Sequence, residues 1–245
     1  MRAAALLACS VAAFAQTWTE AQVARALAPY DHVLLLDHGD SMARWTHNLK
    51  ATEAFQPCST FKLPHALVAL ETGVISLAHN RKRCDPQECH SDHGDIDLDG
   101  AIRESCLSYF RQTARAIGAE RMAEGLAKLR YPATGNLEPL DGFWLTGDFR
   151  ITAEQQLGWI RHFYTEALPV QAEHLAAVRA ATRRTGSDGW LIQGKTGSSR
   201  EGFGWFTGQI TRKGQTSWVV ILLRGKGASG LEAERRLRLL LDGSA

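Results

Sequence analysis

Residues 190–223 have the sequence WLIQGKTGSSREGFGWFTGQITRKGQTSWVVILL. This stretch contains three short runs, 190–195, 204–211 and 217–223, that are rich in aromatic and β-branched residues. Glycines and charged residues separate the runs, which is the pattern of short β-strands joined by turns. The stretch therefore predicts three neighbouring strands near the carboxyl end of the chain.

Near the amino end, the chain predicts two more strands and a helix. Val33-Leu34-Leu35-Leu36 is an apolar run of strand length, and residues 42–48 are expected to pair back on it as a hairpin. Thr19-Glu20-Ala21-Gln22 has the spacing of a capping box, which predicts a first helix that runs to about Pro29. An amphipathic helix is predicted at the other end, over about 231–241.

The middle of the chain is mainly helical in its apolar spacing, over 61–70, around 114–129 and after a second capping box at 152–155. Strands at both ends with helices between them predict the α/β (α+β) class. We expect a central antiparallel β-sheet flanked by terminal helices, with an inserted helical lobe. The cleft between sheet and lobe is the natural place for a functional site.

The composition excludes several classes of protein. The 245 residues are 44% hydrophobic and 22% charged, which is not the composition of a disordered chain, a coiled coil, a collagen or a multispan membrane protein. The 28 basic residues are nearly balanced by 26 acidic ones, so the net charge of +2 provides no field that attracts nucleic acid. We expect no nucleic-acid partner.

Residues 1–15 have the features of a secretion signal. Arg2 gives the positive start, residues 3–14 are almost entirely apolar, and Ala13-Phe14-Ala15 has the small-x-small cleavage pattern. We expect cleavage before Gln16 and a single domain over 16–245, periplasmic or secreted and not attached to a membrane. A short N-terminal anchor or a buried helix is the alternative interpretation of this run.

Four cysteines remain after the predicted cleavage, and an oxidising compartment permits disulfides between them. Cys84 and Cys89 are only five residues apart in a loop that contains proline, so they are the expected pair. Four free thiols are the alternative.

Two short motifs point to a hydroxyl nucleophile. Ser59-Thr60-Phe61-Lys62 is expected at the start of a helix, where Lys62 can reach the Ser59 hydroxyl as a base and free backbone N–H groups can stabilise an oxyanion. Lys195-Thr196-Gly197-Ser198 ends a predicted strand, whose edge can pair with an acyl substrate while Lys195 attracts a carboxylate. Ser-x-x-Lys followed by Lys-Thr-Gly is a signature of serine β-lactamases and penicillin-binding proteins.

Further segments, in order along the chain, make the resemblance specific to class D β-lactamases, the oxacillinases. The segments that carry it are Pro57-Cys58-Ser59-Thr60-Phe61-Lys62-Leu63-Pro64, Leu70-Glu71-Thr72-Gly73-Val74, Ser105-Cys106-Leu107, Ala116-Ile117-Gly118, Phe143-Trp144-Leu145-Thr146-Gly147, Gly194-Lys195-Thr196-Gly197 and Gly204-Trp205-Phe206-Thr207-Gly208. The resemblance covers nearly the whole mature chain and implies a β-lactamase/transpeptidase-like fold.

The resemblance implies a role for each catalytic residue. Ser59 is the expected acylated nucleophile, and Lys62 the general base after its amine has been carboxylated by CO₂. Ser105 is expected to relay a proton to the leaving lactam nitrogen. The indole N–H of Trp144 is expected to steady the carbamate, and Leu107 to form an apolar wall.

For substrate binding, the resemblance implies that Lys195 and Thr196 hold the carboxylate of the substrate. Gly197, which has no side chain, lets the ligand come close to the strand. The backbone N–H groups of Ser59 and Ser198 form the oxyanion hole. An arginine of the last helix is expected to clamp the same carboxylate, and Arg235 is the candidate, with Arg236 next to it. No cofactor or metal is expected apart from the CO₂ or bicarbonate that carboxylates Lys62.

The sequence also departs from the family pattern. The Tyr-Gly-Asn motif is replaced by Tyr131 followed by Pro132-Ala133-Thr134-Gly135-Asn136, and Leu107 stands where the family has the smaller valine. Cys58 and Cys106 each adjoin an active-site serine, so they could also pair with each other or remain two buried thiols.

The sequence thus predicts a class D serine β-lactamase that acts on a small β-lactam, as a monomer or dimer. The alternatives are a penicillin sensor that stays acylated, a D,D-peptidase that uses the same residues, and a catalytically silent homologue.

Overall fold

The computed structural model describes residues 18–83, 85–89, 94–186 and 188–244. The predicted secretion signal, residues 1–15, lies outside these ranges. Within them, each helix is too short or too polar to span a lipid bilayer.

The chain alternates between short strands and helices of one to four turns. In order, the elements are α1 (Glu20–Leu27), β1 (Asp31–Asp37), β2 (Met42–His47), β3 (Ala54–Phe55), α2 (Lys62–Glu71), β4 (Lys82–Arg83), β5 (Asp95–Ile96), α3 (Leu98–Arg103), α4 (Leu107–Ile117), α5 (Ala119–Lys128), β6 (Ile151–Thr152), α6 (Ala153–Thr165), α7 (Ala172–Ala181), β7 (Arg183–Arg184), β8 (Leu191–Ser198), β9 (Phe203–Arg212), β10 (Gln215–Arg224) and α8 (Gly230–Leu241).

The main sheet has six antiparallel strands in the order β2-β1-β10-β9-β8-β7. The three runs within 190–223 form its β8-β9-β10 meander, in which Thr207 pairs with Lys195 on one side and Val220 on the other. β1 adds to β10, and β2 folds back on β1 as the predicted hairpin. The predicted antiparallel sheet is confirmed.

The two terminal helices cover one face of this sheet. Leu27 of α1 and Leu237 of α8 share a buried cluster with Ile221 of β10. Before α1, the Trp18 Nε1 donates to the Leu240 carbonyl over 3.1 Å, which ties the two ends of the described chain together. The prediction of a sheet flanked by its terminal helices is therefore confirmed.

The helical lobe, α2 to α7, is inserted between the strands and has its own aromatic core, which includes Phe61, Phe110 and Phe163. The second predicted capping box is present, since the Gln155 backbone N–H donates to Thr152 Oγ1 over 3.1 Å and its side chain accepts in return. That cap begins α6, the helix that packs against the second face of the sheet.

Sheet and lobe meet where β8 passes the turn before α2. A Cβ at Gly197 would lie 3.0 Å from the Pro57 carbonyl oxygen and 3.1 Å from the Ser59 nitrogen. A Cβ at Gly230, the first residue of α8, would lie 2.6 Å from the Gly197 nitrogen. Because neither glycine carries a side chain, three backbone segments converge around one cleft.

Candidate active site

The cleft between sheet and lobe has a volume of about 520 Å³. It is lined by the turn before α2, the segment that joins α3 to α4, the end of β8 and the first turn of α8. This cleft is the candidate active site, because its lining includes six of the predicted site residues: Ser59, Lys62, Ser105, Leu107, Thr196 and Ser198.

Ser59 lies in a 3-10 turn, Cys58–Phe61, directly before α2. The preceding Cys58 has a φ of 50°, a left-handed conformation that residues other than glycine rarely adopt. The Cys58 N–H donates to the Trp144 carbonyl over 2.9 Å, and the Thr60 hydroxyl donates to the Pro57 carbonyl over 2.6 Å. A strained turn held in this way presents the half-buried Ser59 to the cleft.

Lys62 is the first residue of α2, and only 1% of its surface is exposed. Its Nζ donates to the Ser105 carbonyl, and also to Ser105 Oγ over 3.1 Å. The amine also lies 5.4 Å from the centre of the Phe110 ring. Lys62 therefore reaches the cleft wall from an apolar pocket, with Ser105 as its polar contact.

Ser105 accepts a second hydrogen bond, from a lysine of the sheet. The Lys195 Nζ donates to Ser105 Oγ over 2.9 Å and to the Thr196 carbonyl over 2.9 Å. Ser105 itself has a φ of 60°, the second strained residue beside the cleft. The structure thus brings Lys62, Ser105 and Lys195 into direct contact, and Ser59 lines the same cleft.

Burial sets the protonation of both amines. It lowers the pKa of Lys62 to about 7, because a buried ammonium loses its hydration. It also lowers the pKa of Lys195 well below its ordinary value, and the neighbouring Lys62 charge acts in the same direction. A substantial share of Lys62 is therefore neutral near pH 7, and a neutral amine can accept a proton that an ammonium cannot.

Trp144 is fully buried within the aromatic core of the lobe. Its ring stacks on Phe61 at 5.7 Å and meets His65 edge to face at 5.5 Å. Its Nε1 has no hydrogen-bond partner among the described residues, a state that costs about 1–3 kcal/mol for a buried polar group. Leu107 is half-buried and lines the cleft.

The predicted binding strand, β8, contributes Thr196 and Ser198 to the cleft wall. Ser198 Oγ accepts the Gly230 N–H over 2.9 Å, which joins the end of β8 to the start of α8. Gly197 lies against the Ser59 turn, with room for no side chain between them.

Arg235, the arginine predicted to clamp the substrate carboxylate, does not line the cleft in the structure. Its guanidinium makes two hydrogen bonds of 2.7 Å to the Glu232 carboxylate, and the side chain is 54% exposed. Arg236 donates to Glu232 and to the Ala26 carbonyl. Only the first turn of α8 reaches the cleft, and the residue that lines it there is Leu231.

Cys89 is bonded to Cys106, a pairing that the sequence did not predict. Cys84, the partner predicted for Cys89, lies outside the described residues. Cys58 is a buried free thiol, so the alternative Cys58–Cys106 bond is not formed. The Leu107 N–H donates to the Glu88 carbonyl over 2.9 Å, and this backbone contact places Cys89 beside Cys106.

Four arginines of the described chain line the cleft although none was predicted as a site residue: Arg103, Arg111, Arg184 and Arg200. Arg103 lies in a segment that resembles the family, just before the Ser105 motif. Arg111, Arg184 and Arg200 belong to no recognised motif, so only the fold brings them to the site. The described residues contain no group of three or more His, Cys, Asp or Glu side chains that could hold a metal ion.

Comparison with known proteins agrees with this geometry. Residues 31–241 match the penicillin binding protein transpeptidase domain. β-Lactamase OXA-10 of Pseudomonas aeruginosa is 32% identical over 190 residues, which are 74% of this chain and 71% of that protein. β-Lactamase OXA-48 of Klebsiella pneumoniae is 32% identical over 184 residues, 73% of this chain and 69% of that protein.

The chain belongs to the class D β-lactamase family.

Solved structures of class D β-lactamases share the fold. Class D β-lactamase BAT-2 superposes with a TM-score of 0.80 at 27% identity, over 93% of this chain and 98% of that one. The predicted β-lactamase/transpeptidase-like fold and the family resemblance are confirmed. Regulatory protein BlaR1 of Bacillus licheniformis is 28% identical over 200 residues, 79% of this chain but 33% of that protein.

The lowered pKa of Lys62 predicts a dependence of stability on pH. Between pH 7 and 10.5, Lys62 is protonated in the unfolded chain but mostly neutral in the folded protein. The contribution of this residue to the free energy of unfolding therefore increases as the pH rises. In CO₂-free buffer, the unfolding free energy of wild type relative to Lys62→Met should rise by roughly 2 kcal/mol from pH 7 to pH 9.

Denaturant unfolding at pH 6, 7, 8 and 9 measures this difference, with Lys50→Met as the control for removing an exposed lysine. A difference between wild type and Lys62→Met that stays constant over this range would show that Lys62 keeps an ordinary pKa.

Proposed function

We propose that this protein is a serine β-lactamase that hydrolyses the β-lactam amide of penicillin-type antibiotics through an acyl-enzyme on Ser59. The observation that carries the proposal is the convergence of two buried lysine amines on the Ser105 hydroxyl, in the cleft that Ser59 lines. This arrangement supplies a nucleophile, a base and a proton path at one point of the cleft.

In acylation, Ser59 Oγ forms a bond to the lactam carbonyl carbon as its proton passes to the base at Lys62. The C–N bond then breaks, and Ser105 gives a proton to the departing nitrogen and is reprotonated from a neighbouring lysine amine. The contacts of 3.1 Å and 2.9 Å to Ser105 Oγ support this relay. The backbone N–H groups of Ser59 and Ser198 stabilise the oxyanion, from segments that Gly197 allows to lie close together.

The end of β8 orients the substrate. The edge of this strand pairs with the acyl substrate, and Lys195 and Thr196 attract its carboxylate. Leu107 contributes apolar surface to the same cleft.

Lys62 is the residue that we propose to be carboxylated by CO₂. Its pocket fits the group, because the lowered pKa provides the neutral amine that captures CO₂ and the unpartnered Nε1 of Trp144 provides a buried donor in the adjoining aromatic core. When present, the added carboxylate supplies a stronger general base for acylation and for activating the water that hydrolyses the acyl-enzyme. No other cofactor is proposed.

We further propose that residues 16–245 act as one catalytic domain, periplasmic or secreted after removal of residues 1–15. The binding partner is a small-molecule β-lactam substrate, and the oligomeric state is a monomer or a dimer.

A receptor that remains acylated is the second candidate. The similarity to regulatory protein BlaR1 favours it, as does Leu107, whose side chain is larger than the family's valine beside the cleft where the deacylating water must arrive. A D,D-peptidase with the same residues would instead act on peptides.

A single assay separates these functions. Purified protein is mixed with a chromogenic cephalosporin, with and without bicarbonate, and absorbance and intact mass are followed together. We expect sustained turnover that bicarbonate increases, and no turnover in Ser59→Ala or Lys62→Ala.

One stoichiometric burst with a lasting mass adduct would indicate the receptor instead. Wild-type protein that forms no adduct and shows no turnover would reject both functions.

The role of the Trp144 indole N–H can be tested without removing its ring. Trp144→Phe keeps an aromatic ring next to Phe61 and removes the buried donor. We expect it to raise the bicarbonate concentration that gives half-maximal turnover by about tenfold, because one buried hydrogen bond to a charged group is lost. The rate at saturating bicarbonate should change less.

Trp218→Phe is the matched control, since Trp218 Nε1 is also buried without a partner but its ring packs under Arg161, outside the cleft. An equal bicarbonate requirement in Trp144→Phe and wild type would remove Trp144 from the proposed site.

A further inference from the structure

No arginine of the last helix lines the cleft among the described residues. Arg235 and Arg236 are both bound to Glu232, and α8 presents Leu231 to the cleft, 72% exposed. A cationic group that assists Lys195 and Thr196 in binding a carboxylate would therefore come from another element.

Arg184, in the edge strand β7, is a candidate for such a group. Its Cα partner in β8 is Ile192, whose side chain packs on the α8 side of the sheet. Thr196 is four residues further along β8 and, by strand alternation, has its side chain on this same face. Both Arg184 and Thr196 line the cleft.

The Arg184 guanidinium is held in place but keeps donors for a ligand. Its side chain is 17% exposed, and its Nε has no hydrogen-bond partner in the described structure. The carboxylate beside it belongs to Glu234 of α8, at 3.9 Å from Nε to Oε2, and the other oxygen of Glu234 is bound by Arg238. Glu234 thus compensates the charge of Arg184 without binding the buried Nε.

The other three arginines that line the cleft are either paired with a carboxylate or exposed to solvent. Arg103 donates to Asp99 over 2.6 Å, and Arg111 is bound to Glu88. Arg200 is exposed, in the segment between β8 and β9.

The electrostatics of the cleft are consistent with an anionic ligand at this point. The charge of Arg184 contributes to the lowered pKa of Lys195, so the two groups interact across the sheet edge. A carboxylate bound between them would offset this repulsion, and a guanidinium can bind it through two parallel hydrogen bonds.

We propose that Arg184 is the residue that, with Thr196 and Lys195, binds the carboxylate of the acyl substrate, from β7 rather than from the last helix. Glu234 acts as a positioning residue for its guanidinium. This inference rests on the proposed function, because it assigns a substrate group to the same cleft.

The test compares a penicillin with its methyl ester, which has the same ring but no charge to recognise. For Arg184→Ala we expect kcat/KM for the free acid to fall about 10- to 100-fold, mainly through KM, with little change for the ester. The ratio of kcat/KM for the acid to kcat/KM for the ester should therefore be much smaller in Arg184→Ala than in wild type. Arg184→Gln, which keeps a polar side chain, decides the outcome if the alanine variant does not fold.

Arg200→Ala is the control for an exposed arginine of the cleft, and Arg235→Ala for one outside it. Both should keep the acid preference of wild type. If Arg184→Ala and Arg184→Gln keep that preference, or lose activity on acid and ester equally, Arg184 is only a structural ion-pair residue and the inference is overturned. Wild-type protein that acts on neither compound would count against the proposed function itself, and the inference would fall with it.

Discussion

The site depends on one constraint: two buried lysine amines share a single serine hydroxyl. Lys62 and Lys195 are almost completely buried, and both donate to Ser105 Oγ. Two ammonium groups at such a place would carry a large desolvation cost and would repel each other. The protein meets this constraint by lowering the pKa of both amines, and a lysine that is ready to take up a proton is the chemical result.

The architecture serves to bring these three side chains together from distant parts of the chain. Lys62 comes from α2 of the lobe, Lys195 from β8 of the sheet, and Ser105 from the strained link between α3 and α4. The Cys89–Cys106 bond anchors that link next to Ser105. Neither the sheet nor the lobe has a site by itself, so the chemistry exists only where Gly197 lets them touch.

Much of this could be predicted from the sequence, because local patterns determine it. Runs of aromatic and β-branched residues identified the strands β8, β9 and β10, and capping boxes identified α1 and α6. The Ser59 and Lys195 motifs identified residues from both walls of the site. The features that the sequence did not predict depend on which distant segments meet. The backbone bond from Leu107 to Glu88 places Cys106 beside Cys89, and no local spacing indicates that disulfide. Arg235 was chosen by its position in the last helix, but in the structure it is bound to Glu232, one turn earlier, and does not line the cleft. Arg184, which does line it, belongs to no motif.

The most direct test of the neutral amine is to titrate it. Protein labelled with ¹³C at the lysine Cε can be followed by NMR from pH 5 to pH 11 in CO₂-free buffer, with Lys62→Met used to assign the signal. The account predicts that the Lys62 signal titrates with a midpoint near pH 7. A midpoint near 10.5, the value of an exposed lysine, would show that the amine stays charged in the folded protein and would contradict the account.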